Sequence, residues 1–413
     1  MKKRLASPLA NAKNGVASLA SSLLCIIIGL LFGFLLLIVL AWITMNQGGT
    51  EVTFSGLLEA VKTKGLTPML HGGFYEKSNL LGMGVRMELL QTAPLILTGL
   101  SVAFAFKTGL FNIGAAGQYT VGAFGALYSA IILGLPWWVC LIVAALCGAL
   151  WGAIPGIFKA FLNVNEVITS IMFNWIGLYL VNTIMYGKGS GAMFDPLTSK
   201  THTLVNKSPD SIIPTFNVKV GGENYFHDFF KPSIAIFIAI AVAIIIWVII
   251  KKTTFGYELK ACGHNKDAAK YAGINEKKNI VLSMVIAGAL AGLGAGLFYL
   301  TDAKQWEPMQ STALPAAGFN GISVALLASS NPLGTIFSAL FISHITLGGT
   351  FMEATLFPQE VADIVSGVVI YLCAFSILFK SPVLKLFNRK ARVAAPAASA
   401  AASETDKKKE DEA

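Results

Sequence analysis

Apolar and polar stretches alternate along this chain in blocks rather than residue by residue. Apolar runs near or above 18 residues, the length that crosses ~30 Å of hydrocarbon, recur from end to end. They predict membrane-spanning helices at about Leu23–Met45, Leu89–Phe106 and Tyr119–Leu133, then one opening at Pro136 and one over residues 163–182. Further spans are expected at Ser233–Ile250, Ile280–Leu300, Leu333–Gly348 and Val361–Phe379. Residues 318–334 are apolar over a shorter length and end at Asn331-Pro332, so they predict a short or broken span. The reading is therefore an all-α polytopic membrane protein of about ten transmembrane helices, with the membrane domain at 23–380. The first run is too long for the 7–15-residue core of a signal peptide and ends near Trp42, a typical interface residue.

Between these runs lie polar blocks at 46–88 and 186–232, a basic block at 251–279, and an Ala-rich then charged tail at 381–413 with a composition of disorder. Ten spans starting inside put 21 Lys and Arg in the assigned cytoplasmic segments and 10 in the external ones. That is the positive-inside bias. It makes 1–22 a cytoplasmic segment, 46–88 and 186–232 extracellular loops, and both termini cytoplasmic.

Composition agrees. The chain is 55% hydrophobic and only 13% charged, with a mean hydropathy of +0.67, whereas an ordinary soluble domain is about a quarter charged. The formal charge of +9 sits in loops and tails, which fits membrane orientation and not nucleic acid. The five cysteines show no CxxC spacing and the five histidines no HExxH or paired spacing, so neither a disulfide framework nor a metal site is expected. No Gly-Lys-Ser or Gly-Lys-Thr triplet occurs, so this chain holds no phosphate loop of that kind.

The block 251–279, KKTTFGYELKACGHNKDAAKYAGINEKKN, carries seven Lys and three acidic residues between two apolar runs. Asn265 to Tyr271 can form a short amphipathic helix with Asp267 in its first turn. Either this is a solvated loop that only fixes orientation, or it is a helix that docks into a cytosolic partner. The elaborate punctuation favours docking. Two glycine stripes, Gly148/Gly152/Gly156 and Gly288/Gly292/Gly296, each present one small face for close helix packing.

Within the spans the polar residues are mostly amides. Asn112, Gln118, Asn174, Asn182 and Asn320 lie in or beside apolar segments, and Glu166 is the one carboxylate read near a span. They either knit helices together by hydrogen bonds or line a path for a neutral, hydroxyl-rich solute such as a sugar or nucleoside. Glu166 reads equally as a cap or interface residue. Phe111-Asn112 and Phe319-Asn320 each follow a span beside glycines, an echo at an odd offset that would give two inverted halves, a transporter architecture. No cluster of catalytic carboxylates or histidines supports an enzyme. A self-contained secondary carrier, the other alternative, would show several buried ionisable groups.

Four segments resemble the signatures of one family: GLFNIGAAGQ (109–118), NEVITSIMFNWI (165–176), GHNKDAAKYAGIN (263–275), and GFNGISVALL with NPLG (318–327 and 331–334). The chain resembles the branched-chain amino acid, ribose and nucleoside permeases of bacterial ABC importers, and within them the larger permease of a nucleoside importer. The resemblance implies a cobalamin-importer-type permease fold in the bacterial cell membrane. It also implies a second, homologous permease, a cytosolic ATPase carrying ATP and magnesium, and an external binding protein or lipoprotein. No cofactor is expected on this chain. By position, Gly263, Asn265, Ala268, Ala269, Gly273 and Ile274 would belong to the ATPase-coupling signature, while Glu166 and Asn174 fall in the signature particular to nucleoside carriers. Ala116 and Asn320 depart from acidic residues common in relatives. Simple sugars and branched-chain amino acids are the competing cargoes.

Overall fold

The structure, a computed structural model, describes residues 8–47, 53–74, 81–186, 193–195, 197–198, 200–216, 232–302, 304–307, 314–358 and 360–374. Calls on 1–7 and on the tail 381–413 lie outside them. The helices are α1 (Pro8–Gln47), α2 (Phe54–Ala60), α3 (Thr67–His71), α4 (Leu81–Lys107), α5 (Ala115–Ile131), α6 (Trp137–Leu162) and α7 (Glu166–Tyr186). After them come α8 (Leu204–Lys207), α9 (Ala235–Lys252), α10 (Thr254–His264), α11 (Lys266–Tyr271), α12 (Glu276–Tyr299), α13 (Ala316–Leu327), α14 (Gly334–Thr350) and α15 (Glu360–Ala374). Among the described residues the only strands are the two-residue antiparallel pair β1 (Phe194–Asp195) and β2 (Lys200–Thr201).

Among the described residues, six helices are long and apolar enough to cross a membrane: α1 over Leu24–Gln47, α4, α6, α7, α9 and α12. Ten were expected. Helices stand at the other four positions, but α5, α13, α14 and the described part of α15 have 17, 12, 17 and 15 residues. Between α13 and α14 the break has a local cause: Ser329 and Ser330 both adopt positive φ, at 50° and 53°, just before Asn331-Pro332.

The described residues fall into two compact units, one from 1–39 and 364–413, the other from Leu40–Asp363. In the first, α1 buries Cys25 and Leu37 and exposes Ile27, Leu31 and Leu35. In the second, α4 is the central helix. It is the most buried of the six candidate spans and packs on α12, α13, α14 and α9. Val102 and Ala103 of α4, Ala115 of α5, Ala291 of α12 and Ala325 of α13 form one small-residue core cluster. Where lipid offers apolar contact on every side, helices gain from packing only by close approach, so small residues collect at the centre.

The block 46–88 is not a plain loop. Its described part folds into α2, a π turn at Val61–Leu66, α3 and a 3-10 turn at Gly72–Phe74. Leu57, Val61 and Met69 are buried, and Gly348 of α14 approaches the Pro68 and Met69 carbonyls too closely to admit a Cβ. Helix α4 also begins at Leu81, eight residues before the apolar run, which places Glu88 inside it.

Glu166 is therefore not the only carboxylate associated with the spans. Glu88 is buried, its Oε2 accepts from the Gly73 N–H at 2.9 Å, and its Oε1 lies 3.0 Å from His344 Nδ1. His344 Nε2 lies 2.9 Å from the Leu70 carbonyl oxygen, and Ser343 Oγ donates to the Glu88 carbonyl. One carboxylate thus ties α4, α14 and the turn at 70–73. Glu88→Ala is expected to cost about 3 kcal/mol, because the Gly73 N–H and the histidine both lose their partner in a buried setting. Thermal unfolding in detergent checks this, and an unchanged midpoint would mean the tie contributes nothing.

Candidate functional site

The two glycine stripes face each other. Gly148 and Gly152 of α6 meet Gly288 and Gly292 of α12 so closely that an added Cβ at any of the four would run into opposing main chain. At Gly152 that atom would sit 2.5 Å from the Met284 carbonyl oxygen, and at Gly292 it would meet the Ala144 carbonyl oxygen. Gly156 and Gly296 continue the seam against Met284 and Leu141 side chains, at 2.9 Å each. Gly122 of α5 meets the opposite side of Gly292, so three helices converge there.

Each of the other three family-like segments reaches the segment 109–118, which joins α4 to α5. Four amide and hydroxyl side chains hold its interior. Asn112 Nδ2 donates to Gln118 Oε1 at 2.8 Å, Gln118 Nε2 returns a bond to Asn112 Oδ1 at 3.1 Å, and Asn112 also reaches Ser101 Oγ at 3.2 Å. From α7, Asn174 Oδ1 accepts the Gly117 N–H at 2.7 Å and Asn174 Nδ2 donates to the Ile113 carbonyl at 3.0 Å. The Gly117 N–H is one of the free donors of the first turn of α5, whose own N-cap, Gly114, has no side chain. Asn174 therefore caps a helix that is not its own. Asn174→Leu is expected to lower thermal stability by about 2 kcal/mol, since a buried donor and a buried acceptor lose their partner. A midpoint within error of the parent would refute the capping role.

The remaining contacts of the hub are glycine contacts. Gly318 on α13 packs on Ala116, and Gly321 packs on Thr98. Ala116 is fully buried, and a Cβ added at Gly318 would run into it, so the site has no room for a carboxylate. Gly263, the last-turn glycine of α10, lies against Gly109: a Cβ on Gly263 would come within 2.8 Å of the Gly109 nitrogen. Gly109 has φ +74°, a conformation that glycine adopts without strain.

Between the end of α9 at Lys252 and the start of α12 at Glu276, the block 251–279 holds two helices, not one. Sequence periodicity places a helix at Asn265–Tyr271, and α11 spans Lys266–Tyr271 with Asn265 as its N-cap, Oδ1 accepting from Ala268 N–H at 3.0 Å. Helix α10 before it was missed, because Gly256 and Gly263 read as breaks in the chain, whereas both lie inside the helix. Helix α11 ends in a Schellman motif: the Ile274 N–H bonds the Ala269 carbonyl, the Gly273 N–H bonds the Lys270 carbonyl, and Gly273 takes φ +79°. Ala269 is buried, Ile274 half-buried, and Asn265, Ala268 and Gly273 are exposed. Tyr271 is 97% exposed, an aromatic ring with nothing covering it at the helix end. Charge drew attention to this block and away from that ring. Cys262 of α10 is buried beside Asn279, and burial pushes its thiol above the ordinary range, so it is a packing residue.

The other polar residues expected along a path lie apart from the hub network. Glu166 pairs with Lys159 at 2.8 Å across the α6–α7 turn, where Asn163 adopts φ 52°. An acidic first turn and a basic last turn suit both helix dipoles. Asn182 on α7 keeps a buried amide oxygen without a hydrogen-bond partner, and Asn320 is half-buried on α13. Asn112, Gln118 and Asn174 are buried and satisfied, so in this structure they knit helices together. Among the described residues no group of His, Cys, Asp or Glu is arranged to hold a metal ion.

Comparison with known proteins bears on all of this. The family described as branched-chain amino acid transport system / permease component matches residues 86–374. The guanosine ABC transporter permease protein NupP of Bacillus subtilis is 36% identical over 335 residues, covering 78% of this chain and 88% of that protein. The nucleoside ABC transporter permease protein NupB of Lactococcus lactis is 36% identical over 302 residues, covering 71% and 80%. The glucose ABC transporter permease protein TsgB13 of Haloferax volcanii is 28% identical, covering 72% and 77%. Bacillus subtilis and Lactococcus lactis each supply a second, more distant relative, at 27% and 25% identity.

Proposed function

This chain belongs to the branched-chain amino acid transport system permease family, and from that premise we propose that it is the permease subunit of an ATP-driven importer whose cargo is a nucleoside. The observation that carries this is the 36% identity, over most of both chains, to permeases named for guanosine and for nucleosides. It is a multi-pass membrane protein, and no bond in the solute is made or broken by it. The fold is of the cobalamin-importer type with inverted halves, the termini and 251–279 are cytoplasmic, and 46–88 and 186–232 face outside.

ATP and magnesium belong to a separate ATPase, which presses on α11. Movement of α11 reaches the α4–α5 turn through the contact of Gly263 with Gly109, and from there the amide network moves α5 and α7 together. Two organisms that each carry a pair of such relatives support pairing with a second permease. An external binding protein delivers the solute.

Uptake of radiolabelled guanosine and uridine tests this in cells with and without the chain, the neighbouring subunits left intact. Uptake should vanish with the chain and return only with it and an active ATPase. Unchanged nucleoside uptake would refute the reading. If glucose uptake fell instead, the sugar cargo suggested by the Haloferax relative would take its place.

A further inference from the structure

Helix α7 differs in composition from the other lightly buried candidate spans. Spans α1, α6 and α9, with a third or less of their residues buried, are strongly apolar, as a surface against lipid must be. The less apolar α4 is by contrast mostly buried. Yet α7 has the lowest mean hydropathy of the six and is also only one-third buried. That low mean comes largely from the buried Thr169, Ser170 and Asn174, whereas Ile168, Ile171, Ile176, Leu180 and Ile184 make most of the outward face aliphatic.

One stripe of that face departs from the aliphatic pattern. Met172, Trp175, Tyr179 and Thr183 follow one another at helical spacing, all exposed. Trp175 is 37% and Tyr179 59% exposed, and their rings stack with centroids 6.0 Å apart and planes 25° from parallel. Tryptophan and tyrosine on membrane helices gather at the two water interfaces. These two sit about 13 and 20 Å along a helix about 31 Å long, near its middle. The opposite face of the same helix is fully engaged, with Asn174 capping α5 and Gly177 receiving the Trp151 ring, whose Nε1 donates to the Phe173 carbonyl.

We infer that Trp175 and Tyr179 form a stacking platform for the planar base of the transported nucleoside, on the wall of the translocation path at mid-membrane depth. The inference rests on the nucleoside reading above. Stacking suits such a path chemically: every base has a π-face, so one platform accepts purines and pyrimidines alike. It uses no charge, and the charged side chains described on α7, Glu166 alone, are occupied at the helix start by Lys159.

The test is uptake of radiolabelled guanosine and uridine by cells carrying the whole importer, with this chain as wild type, deleted, or as Trp175→Leu, Tyr179→Leu, Trp175→Phe or Tyr179→Phe. Leucine keeps the position apolar and removes the π-face, and both positions are exposed, so folding is spared; membrane abundance is followed by immunoblot. Each leucine variant should raise the half-saturation concentration roughly tenfold, more for guanosine than for uridine, while the phenylalanine variants stay within about twofold of wild type. Leucine variants that transport like wild type, while the deletion abolishes uptake, would overturn the platform and leave the cargo reading standing. Unchanged half-saturation with less of a second permease co-purifying would also overturn it, making the face a protein interface. Nucleoside uptake that survives the deletion would overturn both.

Discussion

Gly288→Leu is expected to prevent the protein from accumulating in the membrane, and of all single substitutions considered it should have the largest effect on folding. The Cβ alone would meet the Gly148 carbonyl oxygen and come within 3.1 Å of the Gly152 Cα. Both are main chain of a helix locked along its length, so neither can swing aside as a side-chain tip could. Helices α6 and α12 would have to separate, and that seam is the most extensive helix contact in the unit. Overpacking in a core costs about 1–3 kcal/mol when side chains can yield; here about 4 kcal/mol or more is expected. Gly367→Leu is the matched control, because a Cβ there meets nothing within 4 Å. Membrane abundance and thermal unfolding in detergent would show the contrast. Equal behaviour of the two variants would remove the seam from any account of stability.

The second large effect is on transport. Ala268→Asp and Tyr271→Ala should each cut uptake at least about tenfold with abundance and unfolding midpoint unchanged, since both sites are exposed and surface changes usually stay within about 0.5 kcal/mol of neutral. The physical reason differs between them. Aspartate adds a charge that must be desolvated when α11 docks, whereas alanine removes a ring that only a partner can cover. Gly273 is a less clean probe. Its φ of +79° belongs to the Schellman motif, so arginine there strains the end of α11 as well as adding bulk. Uptake and ATPase-linked transport should be measured together. Normal uptake in both exposed-site variants would show that α11 is not the docking element.

How much of this could be read from residues alone depends on the range of each interaction. Helix α11 and its Asn265 cap were legible because capping is local, an amide oxygen reaching a nitrogen three residues on. The glycine stripes were legible as two faces, since a spacing of four marks one side of a helix. Nothing in either stripe says that they meet each other, Gly148 and Gly288 being 140 positions apart. Likewise, Glu88 and His344 are 256 residues apart, and Glu88 was set in a loop because the apolar run begins after it. Within 46–88 a signal did exist: Leu57 and Val61 at helical spacing, with Met69 two turns on, are the three that pack. Short mixed helices carry too few apolar positions for a period to stand out. The amide cluster was correctly picked out by type, but only the fold could tell Asn112, Gln118 and Asn174, which satisfy each other or nearby main chain, from Asn182, whose amide oxygen stays unpartnered.

The contact of Gly109 with Gly263 bears on how such permeases can be re-engineered. Main chain rests on main chain there, so the interface has no side-chain alphabet with which to tune its fit. A chimera that takes residues 251–279 from a relative, in order to accept a different ATPase, inherits a backbone path shaped for that relative's α4–α5 turn. Residues 107–112 should therefore travel with the graft as one cassette. On the docking reading proposed above, grafts that move α10 and α11 alone should assemble with the new ATPase and yet transmit its stroke poorly.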